Sequence, residues 1–245
     1  MLQRLLMLAA GILLFSDSGE AAEGCERMEA GGARYTVCRF EVADPRLRFH
    51  LNGRDGSAFG GFSALERALE SEGKSLVFAM NGGMYHSDLS PVGLYIENGE
   101  TLKPANIKPG PGNFHMLPNG VFWLHGGEAG VTETRAFLNS GRQPDYATQS
   151  GPMLVIDGQL HPRFFPESRS YKIRNGVGLC NDGRTLAFAI TNGAVNFWSF
   201  AAFFRDDLGC PNALYLDGTI SSLHAPSLGR SDRLFPMGPM IAVID

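Results

Sequence analysis

The residues of this chain that could carry out chemistry stand where apolar runs end in a polar residue followed by glycine. Runs this apolar are typical of strands buried on both faces, so each run ends where the chain first meets solvent. A glycine at that point lets the backbone adopt a positive φ or approach a ligand closely. Asn-Gly and Asp-Gly are also the commonest hairpin turns, so one such junction does not by itself define a site. The three junctions are 76–80 before Asn81-Gly82-Gly83, 187–190 before Thr191-Asn192-Gly193, and 213–216 before Asp217-Gly218-Thr219.

Two further polar–glycine clusters adjoin apolar runs. They are Gln149-Ser150-Gly151-Pro152 and Arg174-Asn175-Gly176-Val177-Gly178. Five clusters are more than hairpin turns alone require. Charged residues make up only 19% of the chain, against about 25% in an average protein. The charges of Arg174 and Asp217, each inside one of these clusters, are therefore the first candidates for a functional role.

The elements that must position these residues are mainly strands. Short runs rich in Val, Ile, Phe and Tyr are separated by turn residues, as expected of strands. They cover 34–40, 47–51, 76–80, 92–97, 113–117, 121–124, 153–157, 186–190, 213–216 and 239–244. We therefore predict an α+β fold in which a strand-rich mixed sheet core carries a few flanking helices in a single domain.

Two segments have the spacing and end signals of helices. The first covers 64–72, opened by a capping box at Ser63 and Glu66 and stopped by Gly73. The second is capped by Ser199 and runs to Gly209. The stretch 98–112, which contains three prolines, is predicted to be an ordered surface loop.

Composition excludes several classes of protein. The chain has 245 residues, of which 44% are hydrophobic, enough for one domain with a core. Intrinsic disorder requires low hydrophobicity and high net charge, which this chain lacks. Its 31 glycines follow no triplet period and no heptads occur, which excludes collagen and coiled coil. A net charge of −4 gives no electrostatic reason to expect a nucleic-acid partner.

The amino terminus has the pattern of a secretory signal peptide. Arg4 precedes an apolar run over residues 5–15, and small residues follow at Gly19 and Ala21. The run is shorter than the roughly 20 residues that a membrane-spanning helix needs. We predict a signal peptide at 1–21, a mature domain at 22–245 without a membrane anchor, and a periplasmic or secreted location.

The four cysteines all lie in the predicted mature domain. Disulfides are the default in an oxidising compartment, and four cysteines allow three pairings. We predict Cys25–Cys38, which would tie down the new amino terminus, and Cys180–Cys210, which would span one strand–helix unit. No Cys-x-x-Cys occurs, so a zinc or thioredoxin-type site is not expected.

Four motifs in sequence order resemble those of the phosphodiester glycosidases. This is the domain shared by bacterial exopolysaccharide-related proteins and the lysosomal mannose-6-phosphate uncovering enzyme. The resemblance spans about residues 75–245. The family usually reads Leu-Asp-Gly-Gly-Gly-Ser where this chain has Leu216-Asp217-Gly218-Thr219-Ile220-Ser221, and the loss of two glycines changes how closely that loop can approach a ligand. The four motifs are Asn81-Gly82-Gly83-Met84-Tyr85, Ser150-Gly151-Pro152, Arg174-Asn175-Gly176-Val177-Gly178 and Leu216-Asp217-Gly218.

The resemblance implies a hydrolase that removes a sugar joined through its anomeric carbon to a phosphodiester. Such a reaction passes through an oxocarbenium-like state and needs a cation for the phosphate and a carboxylate for the anomeric centre. Arg174 suits the first role because a guanidinium can grip phosphate oxygens bidentately. Asp217 suits the second, as general base or nucleophile, and Asn81 is the third candidate catalytic residue.

Substrate contacts are expected from side chains and backbone amides in these motifs and directly after them. The partner is then a glycan or sugar-phosphate substrate. The candidate substrate-binding residues are Gly82, Gly83, Tyr85, His86, Ser150, Gly151, Asn175, Gly218, Thr219 and Ser221.

Two other functions stay open at this point. One is a non-catalytic glycan-binding or assembly factor in exopolysaccharide export, and the other is an esterase or amidase with Ser150 as nucleophile. The second lacks the Gly-x-Ser-x-Gly signature. No second catalytic carboxylate is identified: Asp157 and Asp182 read as turn residues, and nothing in the spacing favours Glu97.

No cofactor is predicted. The chain has no His-Glu-x-x-His motif and no P-loop, and its six histidines are scattered. The density of carboxylates near the motifs does not demand a divalent cation.

Overall fold

Antiparallel strands make up most of the described chain, which in this computed structural model comprises residues 24–218 and 220–245. The predicted signal peptide at 1–21 and the candidate residue Thr219 lie outside those residues. The strands are β1 Gly24–Ala30, β2 Ala33–Glu41, β3 Leu47–His50, β4 Leu76–Asn81, β5 Tyr95–Glu97, β6 Glu100–Lys103, β7 Gly120–His125, β8 Glu128–Glu133, β9 Tyr146–Ser150, β10 Met153–Ile156, β11 Gln159–Leu160, β12 Asn175–Cys180, β13 Thr185–Thr191, β14 Asn212–Asp217, β15 Leu223–Ala225, β16 Arg230–Ser231 and β17 Met240–Ile244.

The strands form three sheets. A seven-stranded sheet has the order β1-β2-β13-β12-β14-β10-β11, and two five-stranded sheets have the orders β16-β15-β4-β17-β3 and β6-β5-β9-β7-β8. The predicted strand-rich α+β fold is confirmed. The paired strands described here are all antiparallel, so the expectation of a mixed sheet is wrong in that detail. Short hairpins join many neighbours, a connection that only antiparallel pairs permit.

One aromatic core lies between the three sheets. Phe188 of β13 packs against Phe78 of β4 and Phe122 of β7, with ring centroids 5.1 and 5.9 Å apart. These three rings come from three different sheets, and all are fully buried. Because the sheets share this core, strand ends that are distant in sequence come together at its rim.

Three short helices cover the outer faces. Helix α1, Phe62–Glu70, buries Phe62, Leu65 and Leu69, and α2 covers Thr134–Asn139. Helix α3, Phe197–Ala202, continues into a π-helical turn at Phe203–Asp207, where the Phe203 ring stacks on Tyr35 of the seven-stranded sheet. Single 3₁₀ turns lie at Asn113–His115, Asn181–Gly183 and Pro226–Leu228.

Several local predictions are corrected. Helix α1 begins at Phe62 with Gly61 as its N-cap, so Ser63 falls within the first turn and no side chain caps the helix. Asn196, rather than Ser199, caps α3 by accepting a hydrogen bond from the Ser199 N–H. The run 113–117 forms a 3₁₀ turn that buries Phe114, a case that a short apolar run cannot distinguish from a strand. The predicted loop at 98–112 contains β6, which pairs with β5.

Both predicted disulfides are present. Cys25 and Cys38 face each other across β1 and β2, and Cys180 at the end of β12 is bonded to Cys210 just before β14. Disulfides persist in oxidising compartments. No helix within the described residues is long and apolar enough to span a membrane.

Candidate active site

The ends of three strands from two sheets meet at a pair of buried asparagines. Asn175 opens β12 and lies opposite Asp217 at the end of β14 in the antiparallel register. Asn81 closes β4 in the neighbouring sheet. The Asn175 Nδ2 donates to Asn81 Oδ1 at 2.9 Å, and both side chains are fully buried. The amide pair therefore fixes the ends of these strands relative to one another.

The same two amides hold the loop that follows β14. Asn175 Oδ1 accepts hydrogen bonds from the Asp217 N–H at 2.9 Å and from the Ser221 hydroxyl at 3.3 Å. Asn81 Oδ1 accepts from the Ser222 N–H at 2.9 Å. All these contacts lie within the protein, so the structure gives Asn81, Asn175 and Ser221 the role of positioning the loop that carries Asp217.

Asp217 faces a cleft with a volume of about 460 Å³. Three other residues predicted from the sequence, Tyr85, His86 and Gly218, line the same cleft. Sequence reasoning missed five polar residues that line it, Asn113, His115, Ser170, Lys172 and Tyr215. The cleft therefore brings one carboxyl group together with an exposed lysine, two histidines and two tyrosines.

The environment of Asp217 favours its protonated form. Burial raises the pKa of this carboxyl to about 7, although hydrogen bonds from the Gly218 and Ile220 N–H groups act in the opposite direction. Its neighbours Tyr85 and Tyr215 are neutral at pH 7, because burial and the nearby Asp217 raise the pKa of both phenols above their ordinary value of about 10. A carboxyl with a pKa near 7 can take up or release a proton at neutral pH, as general acid–base catalysis requires.

Arg174 lies behind the cleft wall, where its position does not allow the predicted bidentate grip on a phosphate. Its side chain is fully buried, with Nε donating to Val195 O at 2.9 Å and Nη2 to Ser170 O at 2.7 Å. The guanidinium stacks 3.6 Å from the centre of the Phe197 ring. Arg174 is absent from the described residues that line the cleft. Its contacts instead anchor the segment 170–174, which places Lys172 at the cleft.

Several predicted binding residues are held by hydrogen bonds or tight packing inside the protein. Ser150 is fully buried and donates its hydroxyl to Leu216 O at 2.9 Å, which secures the end of β14. Gly82 donates its N–H to Pro239 O at 2.7 Å. A Cβ on Gly83 would lie 2.8 Å from Thr148 Oγ1, and one on Gly151 would lie 2.6 Å from the Asn119 Cβ. Because Ser150 bonds a carbonyl oxygen and does not line the cleft, this placement gives no support to a Ser150 nucleophile.

The other carboxylates considered from the sequence lie elsewhere. Asp157 is exposed in the β10–β11 turn, and Glu97 accepts hydrogen bonds from Tyr95 and the Leu51 N–H beside a separate cavity of about 850 Å³. Among the described residues that line the cleft, Asp217 is the sole carboxylate. Within residues 24–218 and 220–245, no three or more His, Cys, Asp or Glu side chains are grouped as metal ligands.

Two signals for the missed residues were present in the sequence but weak. Lys172 stands two residues before Arg174, as an isolated cation beside one of the motifs. Tyr215 interrupts the otherwise aliphatic run 213–216 and looks like an ordinary core residue. Neither could be assigned to the cleft without knowing which way its side chain points.

The chain is similar to known proteins in sequence and in structure. A family model described as phosphodiester glycosidase matches residues 74–227. The uncharacterized protein YigE of Escherichia coli (strain K12) is 38% identical over 198 residues, which cover 81% of this chain and 77% of that protein.

Two solved structures share the fold at low sequence identity. The catalytic domain of zebrafish N-acetylglucosamine-1-phosphodiester alpha-N-acetylglucosaminidase, auto-inhibited by its pro-peptide, superposes with a TM-score of 0.59 at 15% identity. That match covers 89% of this chain and 81% of the zebrafish chain. A hypothetical protein from Synechocystis gives a TM-score of 0.54 at 14% identity, covering 90% of this chain and 61% of that one.

The raised pKa of Asp217 predicts that its carboxyl destabilises the fold as the pH rises. The folded-state pKa of about 7 exceeds the ordinary value of about 3.9, so the folded protein binds more protons between these pH values. The free energy of unfolding therefore falls from about pH 4 to pH 7 and is unaffected by this group above that. Asp217→Asn, which cannot ionise, should gain stability relative to the wild type across this interval.

Denaturant unfolding at pH 4.5 and pH 8 measures this difference. The control is Asp157→Asn, the same chemical change in an exposed turn. If the stability difference between the wild type and Asp217→Asn is the same at both pH values, the carboxyl is not held in its protonated form by burial.

Proposed function

This chain belongs to the phosphodiester glycosidase family, and we propose that it is an exported hydrolase that cleaves a sugar-1-phosphodiester linkage in a cell-surface or extracellular glycan. The observation that carries the proposal is that Asp217 and the exposed Lys172 line the same cleft. The pKa of the Asp217 carboxyl there is about 7. These are the two groups that the reaction needs, a carboxylate for the sugar and a cation for the phosphate.

In the proposed reaction Asp217 acts as a general base. Its ionised carboxylate accepts a proton from a water molecule as the water oxygen attacks the anomeric carbon. The bond between that carbon and the phosphate oxygen breaks, and its electron pair stays on the phosphate. The products are the free sugar and a phosphate monoester. Phosphate is a good leaving group, so a second carboxylate acting as general acid is not required.

Lys172 is the proposed cation for the phosphate. Its side chain is exposed at the cleft, and its backbone is fixed by paired hydrogen bonds with Val195. An ammonium group provides three donors and a compact positive charge, which suit an anion that enters and leaves with solvent. His86 and Asn113, which line the same cleft, are proposed to contact the sugar or phosphate oxygens.

The sugar to test first is N-acetylglucosamine. The zebrafish protein with the same fold is named for its action on an N-acetylglucosamine-1-phosphodiester. The loop after Asp217 differs here from the usual family sequence, so other glycosyl-1-phosphodiesters belong in the same panel.

We expect the purified mature protein to release free sugar from at least one glycosyl-1-phosphodiester. Asp217→Asn should lower kcat by about 10²–10⁴-fold because it removes the general base. For the wild type, kcat/KM should rise with pH with a midpoint of about 7, since the ionised carboxylate is the active form. Asp157→Asn is the matched control and should retain full activity.

Two results would count against this function. A folded protein that turns over no member of the panel would favour the alternative of a non-catalytic glycan-binding factor. In that case Asp217→Asn would bind glycan as the wild type does. Turnover that survives in Asp217→Asn would show that another group acts as the base.

Loss of the lysine charge should weaken substrate binding. Lys172→Met is expected to raise KM by about tenfold, the value of one charge-assisted hydrogen bond at an exposed position. Added salt should weaken binding to the wild type more than to this variant, because it screens the lysine charge. Lys108→Met removes the same charge at an exposed position that is absent from the described cleft lining. If both variants bind alike, Lys172 does not contact the phosphate.

Export is supported by the two disulfides together with the signal-peptide pattern at residues 1–21. Expression of the full chain in a Gram-negative host should yield a processed periplasmic protein that begins near Ala22 or Glu23. An unprocessed, reduced protein in the cytoplasmic fraction would refute this part of the proposal.

A further inference from the structure

The fully buried guanidinium of Arg174 is a charge that the reaction outlined above does not use. Among the described residues no carboxylate forms an ion pair with it, and burial lowers its pKa. Burying a charge without an ionic partner is unfavourable, and the two carbonyl groups and the Phe197 ring offset that cost only in part. The guanidinium has hydrogen bonds to two residues that line the cleft, from Nη2 to the backbone oxygen of Ser170 at 2.7 Å and from Nη1 to the Tyr215 hydroxyl at 3.4 Å, and only the second reaches a side chain.

The Tyr215 hydroxyl lies at the cleft between two other residues of its lining. The Asn113 side chain interacts with this hydroxyl and favours its ionised form, as Arg174 does. A Cβ on Gly218 would lie 2.3 Å from the hydroxyl oxygen, so glycine is needed there to leave room for it. Tyr215, Asn113 and Gly218 all line the cleft that Asp217 faces.

The proton of this hydroxyl is free to be donated. The oxygen accepts the hydrogen bond from Arg174, and a phenol has one donor in addition to its acceptor sites. The two side chains that contact this oxygen, Arg174 and Asn113, both favour the ionised phenol, so each donates to the oxygen and neither takes up its proton. A buried hydroxyl whose proton these contacts do not use can donate it to a ligand in the cleft.

We propose that the Tyr215 hydroxyl donates a hydrogen bond to the phosphate of the substrate, and that Arg174 acts on the phosphate only through this hydroxyl. The proposal rests on the proposed function, since it identifies a further contact with the same substrate. Tyr215 keeps its proton throughout. As the anomeric C–O bond breaks, negative charge grows on the phosphate oxygen, and the hydrogen bond from Tyr215 becomes stronger.

An indirect contact has a physical advantage over a direct one. A guanidinium in contact with Asp217 would lower the pKa of that carboxyl by about 1–3 units. The tyrosine ring separates the two charged groups, and its hydroxyl, polarised by Arg174, still presents a strong donor to the phosphate. The carboxyl thereby keeps the pKa that a general base needs at neutral pH.

Tyr215→Phe tests the proposal because it removes only the hydroxyl. The substrates are the methyl and p-nitrophenyl phosphodiesters of N-acetylglucosamine-1-phosphate, with free N-acetylglucosamine as the readout. We expect kcat for the methyl compound to fall by about 10²-fold, the usual loss for one transition-state donor, with little change in KM. The loss in kcat should be smaller for the p-nitrophenyl compound. Its leaving group, p-nitrophenyl phosphate, is less basic than methyl phosphate and needs less stabilisation.

The matched control is Tyr146→Phe, which removes another buried hydroxyl, bonded to Asn98 and absent from the described cleft lining. It should change kcat by less than about twofold. If Tyr215→Phe behaves like this control, or loses equally with both substrates, the hydroxyl does not stabilise the leaving phosphate.

A double-mutant cycle tests the role of Arg174. Arg174→Lys keeps the charge but not the geometry of the hydrogen bond, and it should lower kcat by about tenfold in the wild type. In the Tyr215→Phe background the same change should have an effect below about twofold, because its route to the phosphate is already lost. If the losses in kcat of the two single variants multiply in the double variant, Arg174 acts independently of the Tyr215 hydroxyl. Circular dichroism and thermal unfolding confirm that each variant is folded at the assay temperature.

Binding of inorganic phosphate separates failure of this contact from failure of the proposed function. By calorimetry, Tyr215→Phe should bind phosphate about tenfold more weakly than the wild type, and Tyr146→Phe should bind it as the wild type does. If no phosphodiester is cleaved but phosphate binding depends on Tyr215, the hydrogen bond from Tyr215 to phosphate is supported and the proposed glycosidase function is refuted. If the wild type cleaves its substrate and Tyr215→Phe leaves both kcat and phosphate binding unchanged, the Tyr215 contact is refuted and the proposed function is supported.

Discussion

The buried amide pair of Asn81 and Asn175 is the constraint on which the candidate site depends. A carboxamide has two donors and two acceptor sites, and inside a protein nearly all of them must be satisfied. Here that happens only when the end of β4, the start of β12 and the loop after β14 stand in one arrangement. A shift of any of these elements would leave a buried polar group without a partner, at a cost of about 1–3 kcal/mol for each. The carboxyl of Asp217 is therefore held by groups that never need to touch a ligand.

The packing that fixes Asp217 also sets its chemistry. The carboxyl is removed from most of the solvent, which raises its pKa, and its immediate neighbours are tyrosines rather than cations. The two positively charged side chains of the site, Lys172 and Arg174, are separated from the Asp217 carboxyl in different ways. Lys172 stands at the exposed side of the cleft, and Arg174 is enclosed behind Tyr215. A site that must bind an anion and also keep a basic carboxylate needs this separation, because direct pairing would stabilise the ionised form.

The parts of the fold that could be predicted are those whose patterns are local. The apolar runs of β4, β13 and β14 are long enough to be recognised. Four cysteines in a chain with a signal-peptide pattern predict disulfides, and the two predicted pairs are the ones present. Strand β9 was not recognised, because Thr148, Gln149 and Ser150 are polar although the fold buries them. Strand β12 was missed for a related reason, since Gly176 and Gly178 are atypical of strands. A Cβ at either glycine would collide with Phe204, Cys210 or the Leu214 backbone, and these contacts arise only in the folded protein.

For the site, the sequence by itself determined which polar residues stand at strand ends and that four motifs occur in the order of the family. It thereby singled out Asn81, Arg174 and Asp217 as candidate catalytic residues and Asn175 as a candidate binding residue, because residue type, neighbouring glycines and order along the chain are properties of the chain alone. Only the tertiary structure decided which of them face the cleft and which lie behind it. Arg174 begins one motif and Tyr215 precedes another. Both side chains pack against the Phe197 ring, and that of Arg174 is also held by carbonyl groups at Ser170 and Val195. Those partners come together through the packing of three sheets, which no local pattern specifies.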